Sequence, residues 1–474
     1  MTDTITPTLV DGVRIVVPDS LNLITPYVLI EQQDWFEDEI RFLRRLLGPG
    51  QKVIDIGANY GVYTLSLAKA VGAAGFVWAF EPASSCAALL AEGVLANHFG
   101  NVIVERSALS RESGTGCLGL NDHSELNALI RPDKAGKASE TVSVVTLDEC
   151  LQRYGWRDID FVKIDAEGEE ANILKGGRQF FAELSPLIQY EVKAGADFHL
   201  ELVRDFAERG FYSYRLVPGL DLLVPFSADS TPDGYLLNLF CCKPSRAAEL
   251  AAKGFLFDSE SDLSPSATET AEDDCQSIIT RDEYTWRRTI ARLPYGAQLA
   301  ASWENATETE DSLTLYDALA YYAVSRDDRV APAERFNALE ASFSLLEIIC
   351  ERRPDQLRLA SLARVAHDYG ARSVSVYALQ RLVRRMLEEK NTVDLSEPFL
   401  APGERFDSIP PGDAIANWFL ASVLEQLERL ESYSSFYTGK SALQRLELIS
   451  RLGFASPEME RRLQLVRTRF GAGP

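Results

Sequence analysis

The segment that most constrains this chain is Val53-Ile-Asp-Ile-Gly-Ala-Asn-Tyr-Gly61, which runs directly into VYTLSLAKA. An apolar strand pattern ends at Asp55, the chain turns through Gly57 and Gly61, and a helical pattern begins at once. Glycines permit positive φ and let a ligand approach the backbone closely. The combination predicts a half-unit of a parallel α/β sheet with a ligand at its carboxyl edge. Dinucleotide folds use the same outline, but their G-x-G-x-x-G turn gathers glycine amides around a pyrophosphate. Here Asn59 and Tyr60 intervene, and Asp55 precedes the first glycine. A carboxylate in that place suits a ligand with an amino group better than one with phosphates.

The same alternation continues along the chain. From Val13 to about Pro244, the runs VIDIG, FVWAFEP, VIVERSAL, DFVKID, LIQYEV, FYSYRLV and LLNLFCC are separated by helix-length amphipathic stretches. This spacing predicts βαβ units and a mostly parallel sheet. Between Asp258 and Asp274 the composition shifts to DSESDLSPSATETAEDD, with no basic residue. That stretch reads as a solvated acidic linker. The expected division is residues 1–245, a linker over 246–277, and a helical domain over 278–474.

Past Ile278 the strand patterns stop. Apolar residues recur at helical spacing in LYDALAYYAV, FNALEASFSLLEII, LRLASLARVAHDYG, VSVYALQRLVRRML and IANWFLASVLEQLERL. Leu359, Leu362, Ala363 and Ala366, then Gly370, then Ser375, Leu379 and Leu382 fit one tetratricopeptide-like pair, with Pro354 closing the unit before it. A plain bundle of helical hairpins fits the same pattern.

Two further motifs carry chemistry. FVWAFEP ends a strand in Glu81, about one half-unit after the glycine turn, where an acid hydrogen-bonds ribose hydroxyls. Asp160-Phe-Val-Lys-Ile-Asp-Ala-Glu-Gly168 delivers Asp165 and Glu167 to a carboxyl edge, and LIQYEV ends nearby in Glu191. Three such carboxylates can accept a hydroxyl proton, hold sugar hydroxyls or bind a divalent cation. His123, in LNDHSELNAL, is a second candidate for general base and equally reads as a polar loop histidine. Ser124, Glu125 and Asn127 in the same stretch are candidates for holding acceptor hydroxyls. Trp35 and Phe36 fit either a ligand cap or ordinary helix packing.

The order DIGANYGVYTLSLA, FEP, SALS, VTLDECL, DFVKIDAEGEEANILKGG and QYE resembles the FkbM-type family of S-adenosylmethionine-dependent methyltransferases. The likeness covers about Asp34 to Val192 and extends loosely to Pro244; Ala166 departs from the larger aliphatic residue usual there. It implies the class I methyltransferase fold, a Rossmann-like, seven-stranded, mostly parallel sheet with a reversed final strand. It also implies S-adenosylmethionine as cofactor and a hydroxyl acceptor, often on a sugar, glycan or glycosylated metabolite. Carried over, Asp55, Gly57, Asn59 and Gly61 form the cofactor loop, Glu81 takes the ribose, and Ser107 and Ala108 lie at the adenine edge. Asp165 and Glu167 face the reaction cleft. Asp165 is then the expected base or metal ligand, supported by Glu167 and Glu191. A magnesium or manganese ion would sit on Asp165 and Glu191.

Composition narrows the alternatives. With 70 acidic against 48 basic residues the formal charge is −22, so the basic stripe of a nucleic-acid binder is missing. Seven dispersed cysteines, no CxxC pair and four histidines exclude a standard zinc site and fit a reducing compartment. No apolar run reaches the roughly 18–20 residues needed to cross a bilayer, and the acidic start lacks signal-peptide character. The expectation is a cytoplasmic O-methyltransferase with no membrane insertion, whose helical domain has room for a protein partner. Two rivals are a scaffold working mainly through its helices and a dinucleotide-dependent oxidoreductase.

Overall fold

VIDIG and FVWAFEP form neighbouring parallel strands, and the rest of a single sheet grows outward from them. In the computed structural model, which describes residues 3–130, 138–194, 197–257, 284–304, 309–388 and 393–470, this sheet has eight strands. They are β1 (Lys52–Ile56), β2 (Phe76–Phe80), β3 (Val102–Glu105), β4 (Phe161–Ile164), β5 (Leu187–Glu191), β6 (Tyr212–Val217), β7 (Leu222–Pro225) and β8 (Asn238–Cys242). Their order is β7-β6-β8-β5-β4-β1-β2-β3. The pairs from β5 through β3 are parallel, whereas β8 runs antiparallel to both β5 and β6.

Seven of these strands make the class I methyltransferase sheet with its reversed last strand. The eighth, β7, follows β6 after a short connection, Pro218–Asp221. VIVERSAL does not form one strand. It breaks at Arg106 into β3 and a separate piece, Ser107–Leu109, that pairs with Ser143–Val145 in a four-stranded side sheet.

The order reverses at β1: the chain leaves it for β2 and β3 on one side and returns as β4 and β5 on the other. In open α/β sheets a ligand crevice forms outside the carboxyl ends of the strands at such a switch point. The two faces of the sheet differ in character. Ile54, Ile56, Val162, Ile164, Ile188 and Tyr190 join Phe180, Phe181 and Phe206 in one apolar core. The period-2 alternation turns Asp55, Lys163 and Gln189 to the opposite face, where they stand in one register row.

The chain separates into two compact units. One comprises Met1–Leu216, Leu223–Pro232 and Leu236–Lys253; the other comprises Val217–Leu222, Asp233–Tyr235 and Gly254–Pro474. The helix Pro244–Ala252 occupies the start of the stretch expected to be linker. The acidic run from Asp258 to Asp274 lies outside the described residues.

In the second unit the helices Glu310–Ser325, Pro332–Arg352, Gln356–Tyr369, Arg372–Glu388 and Ile415–Leu430 each pack on the next. Gly370, at φ +91°, caps Gln356–Tyr369 in the left-handed conformation that glycine adopts freely. Helix pairs begin at Glu310 and at Gln356, farther apart than the roughly 34 residues of a tetratricopeptide unit. Among the described residues, no helix is long and apolar enough to cross a membrane.

Candidate active site

The glycine turn is fixed by its neighbours. The amides of Gly57 and Ala58 both donate to the Phe80 carbonyl, at 3.0 and 3.1 Å, which ties the turn to the end of β2. Gly57 has φ +82°, and a Cβ there would stand 1.7 Å from the Asp165 carbonyl oxygen. Glycine is therefore demanded twice, by conformation and by the close approach of the chain after β4. Asn59 takes φ +48° and Gly61 φ +85°, and helix Val62–Val71 starts immediately afterwards.

Glu81 lies where β2 ends. Its two carboxylate oxygens accept the Asn59 amide at 2.7 Å and the Ala83 amide at 2.8 Å. Each oxygen keeps a further lone pair for a ligand donor. Burial pushes the carboxyl up to about 7, against the two amides that favour its ionised form. Asp55, 1% exposed, accepts Thr64 Oγ1 at 2.5 Å on Oδ2, while its Oδ1 has no hydrogen-bond partner among the described residues. Burial raises its pKa despite the nearby Lys163.

Three carboxylates meet on the adjoining edge. Asp165 follows β4, Glu167 lies in the turn after it, and Glu191 ends β5; one oxygen of each lies within 4.8 Å of the others. Burial, then the charge of Asp165, pushes Glu167 up to about 8 and Glu191 up to about 9. Glu167 is held at φ +49°, an uncommon place for a residue with a side chain. Glu170 stabilises this turn by accepting the amides of Ala166, at 2.9 Å, and Gly168, at 3.3 Å.

Several contributors were not singled out by the sequence reading. Lys163, 5% exposed, donates to Asp165 Oδ2 at 2.6 Å, and its ammonium lies 4.8 Å from the centroid of the Tyr63 ring. Burial opposes its charge, but Asp165, Asp55 and Glu37 together outweigh that and hold it protonated. Tyr63 donates to Glu37 Oε2 at 2.5 Å and accepts from Gln189 Nε2 at 3.3 Å. Gln189 is fully buried, and its Oε1 has no hydrogen-bond partner among the described residues.

The remaining candidates have the following partners. His123 precedes the short turn Ser124–Leu126, and its backbone amide donates to Asn121 Oδ1. From that turn Ser124 reaches Asn59 Oδ1 at 3.1 Å. Glu125 accepts from the Thr25 amide at 3.0 Å and from the Thr25 hydroxyl. Asn127 Oδ1 takes the Asn121 amide. These three side chains are thus engaged with the protein itself. Ser107 and Ala108 are buried at the start of the side sheet. The rings of Trp35 and Phe36 pack on each other with centroids 4.5 Å apart, just before helix Asp38–Leu46. Cys241 and Cys242 are both buried.

Residues 55–212 match the family model of the methyltransferase FkbM domain. This part of the chain is a methyltransferase domain of that family, and the helices from Trp286 onward lie outside the match. No curated protein matches the chain. Similar solved structures include a methyltransferase FkbM from Methylobacillus flagellatus KT, at 18% identity over 40% of this chain and 43% of that one, with a TM-score of 0.29. A SAM-dependent O-methyltransferase from Thermotoga maritima matches at 13% identity over 50% and 77%, with a TM-score of 0.25. An rRNA methylase from Streptococcus thermophilus matches at 14% identity over 43% and 93%, also at 0.25. At these scores the likenesses carry no argument about substrate.

Proposed function

We propose that this chain transfers a methyl group from S-adenosylmethionine to a hydroxyl of a sugar, glycan or glycosylated metabolite. The observation that carries the reading is the convergence of Asp165, Glu167 and Glu191 beside the Gly57–Gly61 turn, at the switch point of the sheet. Such a site calls for a ligand whose groups both donate and accept. A polyol presents several adjacent hydroxyls, each able to donate to a carboxylate and to accept from the protonated carboxyls that burial favours at Glu167 and Glu191.

Cofactor binding follows from the same arrangement. Glu81, already oriented by two amides, takes the ribose hydroxyls. Asp55 Oδ1 and the backbone of the turn face the amino-acid end of the cofactor in this reading. Methyl transfer is then an in-line displacement in which the acceptor oxygen attacks the methyl carbon and the thioether leaves. Alignment supplies much of the acceleration. An alcohol is a weak nucleophile, so Asp165 accepts its proton while Glu167 and Glu191 hold neighbouring hydroxyls.

The three carboxylates also make a donor set for magnesium or manganese, since hard cations prefer such oxygens. Lys163 already neutralises Asp165 from within the protein, so the reading routes no step through a metal. The cytoplasm and a protein partner for the helical unit remain part of the proposal. Calorimetry tests the cofactor assignment: S-adenosylmethionine should bind well ahead of nicotinamide dinucleotide, and equal affinities would overturn it in favour of an oxidoreductase.

A further inference from the structure

The buried Lys163 asks for an explanation of its own. It stands third in β4, between Asp55 on β1 and Gln189 on β5, and the other positions of its own strand, Phe161, Val162 and Ile164, are apolar. Removing an ammonium from water carries a penalty of several kcal/mol, and an apolar side chain of similar volume would fill this place without it. What the lysine gains is specific. Its Nζ makes a 2.6 Å bond to Asp165 Oδ2, and the Tyr63 ring lies under the ammonium. Tyr63 is itself held through its hydroxyl, by Glu37 on one side and Gln189 on the other. A chain of contacts therefore runs from the residue before helix Asp38–Leu46, through the first turn of helix Val62–Val71, to one oxygen of Asp165.

We propose that Lys163, seated on the Tyr63 ring, is the positioning residue for Asp165: it fixes Oδ2 and leaves Oδ1 to the acceptor hydroxyl. The inference rests on the reading that Asp165 faces the acceptor. Lys163 itself touches neither cofactor nor acceptor. Its two neighbours divide the work: the face of Tyr63 supports the ammonium, while the Tyr63 hydroxyl only anchors the ring. Losing the ring should therefore matter more than losing the hydroxyl.

The test uses the full chain and four variants, Lys163→Met, Lys163→Arg, Tyr63→Leu and Tyr63→Phe. Each is crystallised with S-adenosylhomocysteine and assayed with radiolabelled S-adenosylmethionine and a mixture of methyl hexopyranosides. Asp165 should keep one rotamer in wild type, Lys163→Arg and Tyr63→Phe, and turn or split in Lys163→Met and Tyr63→Leu. Turnover in Lys163→Met should fall by about 10- to 100-fold, the range for one charge-assisted hydrogen bond, with KM for S-adenosylmethionine unchanged. Lys163→Arg should recover part of that loss. An Asp165 rotamer unmoved in Lys163→Met would overturn the proposal, as would arginine doing no better than methionine in both readouts. If Lys163→Met does not fold, the contrast between Tyr63→Leu and Tyr63→Phe decides on the same rotamer criterion. Crystals that take up no S-adenosylhomocysteine would instead count against the cofactor reading, and the rotamer comparison would still judge the role of Lys163.

Discussion

Glu81→Gln changes the site by one atom, and its consequences can be worked through. The carboxylate accepts two amides, from Asn59 and Ala83, one on each oxygen. A carboxamide of the same shape has one oxygen, so one of those amides would face an NH2 group. The free protein should lose about 1–3 kcal/mol of stability for the orphaned donor. The ribose loses a charge-assisted bond worth about 1.5–3 kcal/mol, which corresponds to roughly a 10- to 150-fold weaker affinity for S-adenosylmethionine. The pH dependence is more diagnostic. In the free protein burial raises Glu81 to about 7, and hydroxyl donors bind its ionised form. Between pH 8 and pH 6 the ionised fraction of such a group falls about tenfold, so wild-type affinity should weaken by about that factor. Calorimetry across this range, on wild type and Glu81→Gln, isolates the effect because the ligand's own amine titrates alike against both. Parallel pH profiles for the two proteins would refute the reasoning, for then Glu81 is not the group that meets the ligand.

Other perturbations give equally definite outcomes. Asp165→Asn should collapse turnover and leave cofactor affinity nearly unchanged, measured by label transfer and calorimetry; survival within a few-fold would remove Asp165 as base. A chelator added to wild type should leave activity intact, and a loss restored by magnesium or manganese would move Asp165 and Glu191 to the role of metal ligands. Gly57→Ala combines a left-handed backbone with a Cβ 1.7 Å from the Asp165 carbonyl. It should cost about 2–5 kcal/mol in denaturant unfolding, and a cost below about 1 kcal/mol would show that the turn can relax. Glu167 and Glu191 are raised to about 8 and about 9 when folded, so the folded protein binds more protons than the unfolded chain above the ordinary carboxylate range. Stability of the ligand-free protein should therefore fall as pH rises from about 5 through 9. Glu167→Gln with Glu191→Gln should flatten the thermal melting curve over that window, and an unchanged slope would place the carboxylates in water.

The sheet was legible because its strands are short apolar runs separated by helix-length patterns, and because the glycine turn marks β1. The carboxyl edge was legible too, since Glu81, Asp165, Glu167 and Glu191 all sit where an apolar run stops. The eighth strand was not, because Leu222–Pro225 follows β6 after a short connection and reads as a continuation of it. The break in VIVERSAL was hidden as well: nothing local shows that the chain leaves one sheet at Arg106 and enters another. The supporting row of Asp55, Lys163 and Gln189 left a trace that was readable in principle. Each is a polar residue inside an apolar strand, in VIDI, FVKI and LIQY. Only the register of β1, β4 and β5 brings the three together. Glu37 and Tyr63 join them through contacts between a loop and a helix that no spacing rule anticipates. Nothing local around His123 shows that Ser124, Glu125 and Asn127 bond to Asn59, Thr25 and Asn121, since those partners are met only in the folded chain.

The most direct measurement incubates the full chain with S-adenosylmethionine labelled in its methyl group and with cell extract separated into neutral glycans, nucleic acids, proteins and amines. The label should collect in the neutral glycan fraction as a base-stable methyl ether on a sugar hydroxyl, and Asp165→Asn should abolish it. Label accumulating in the nucleic-acid, protein or amine fraction, or no transfer from a protein that binds S-adenosylmethionine, would contradict the account.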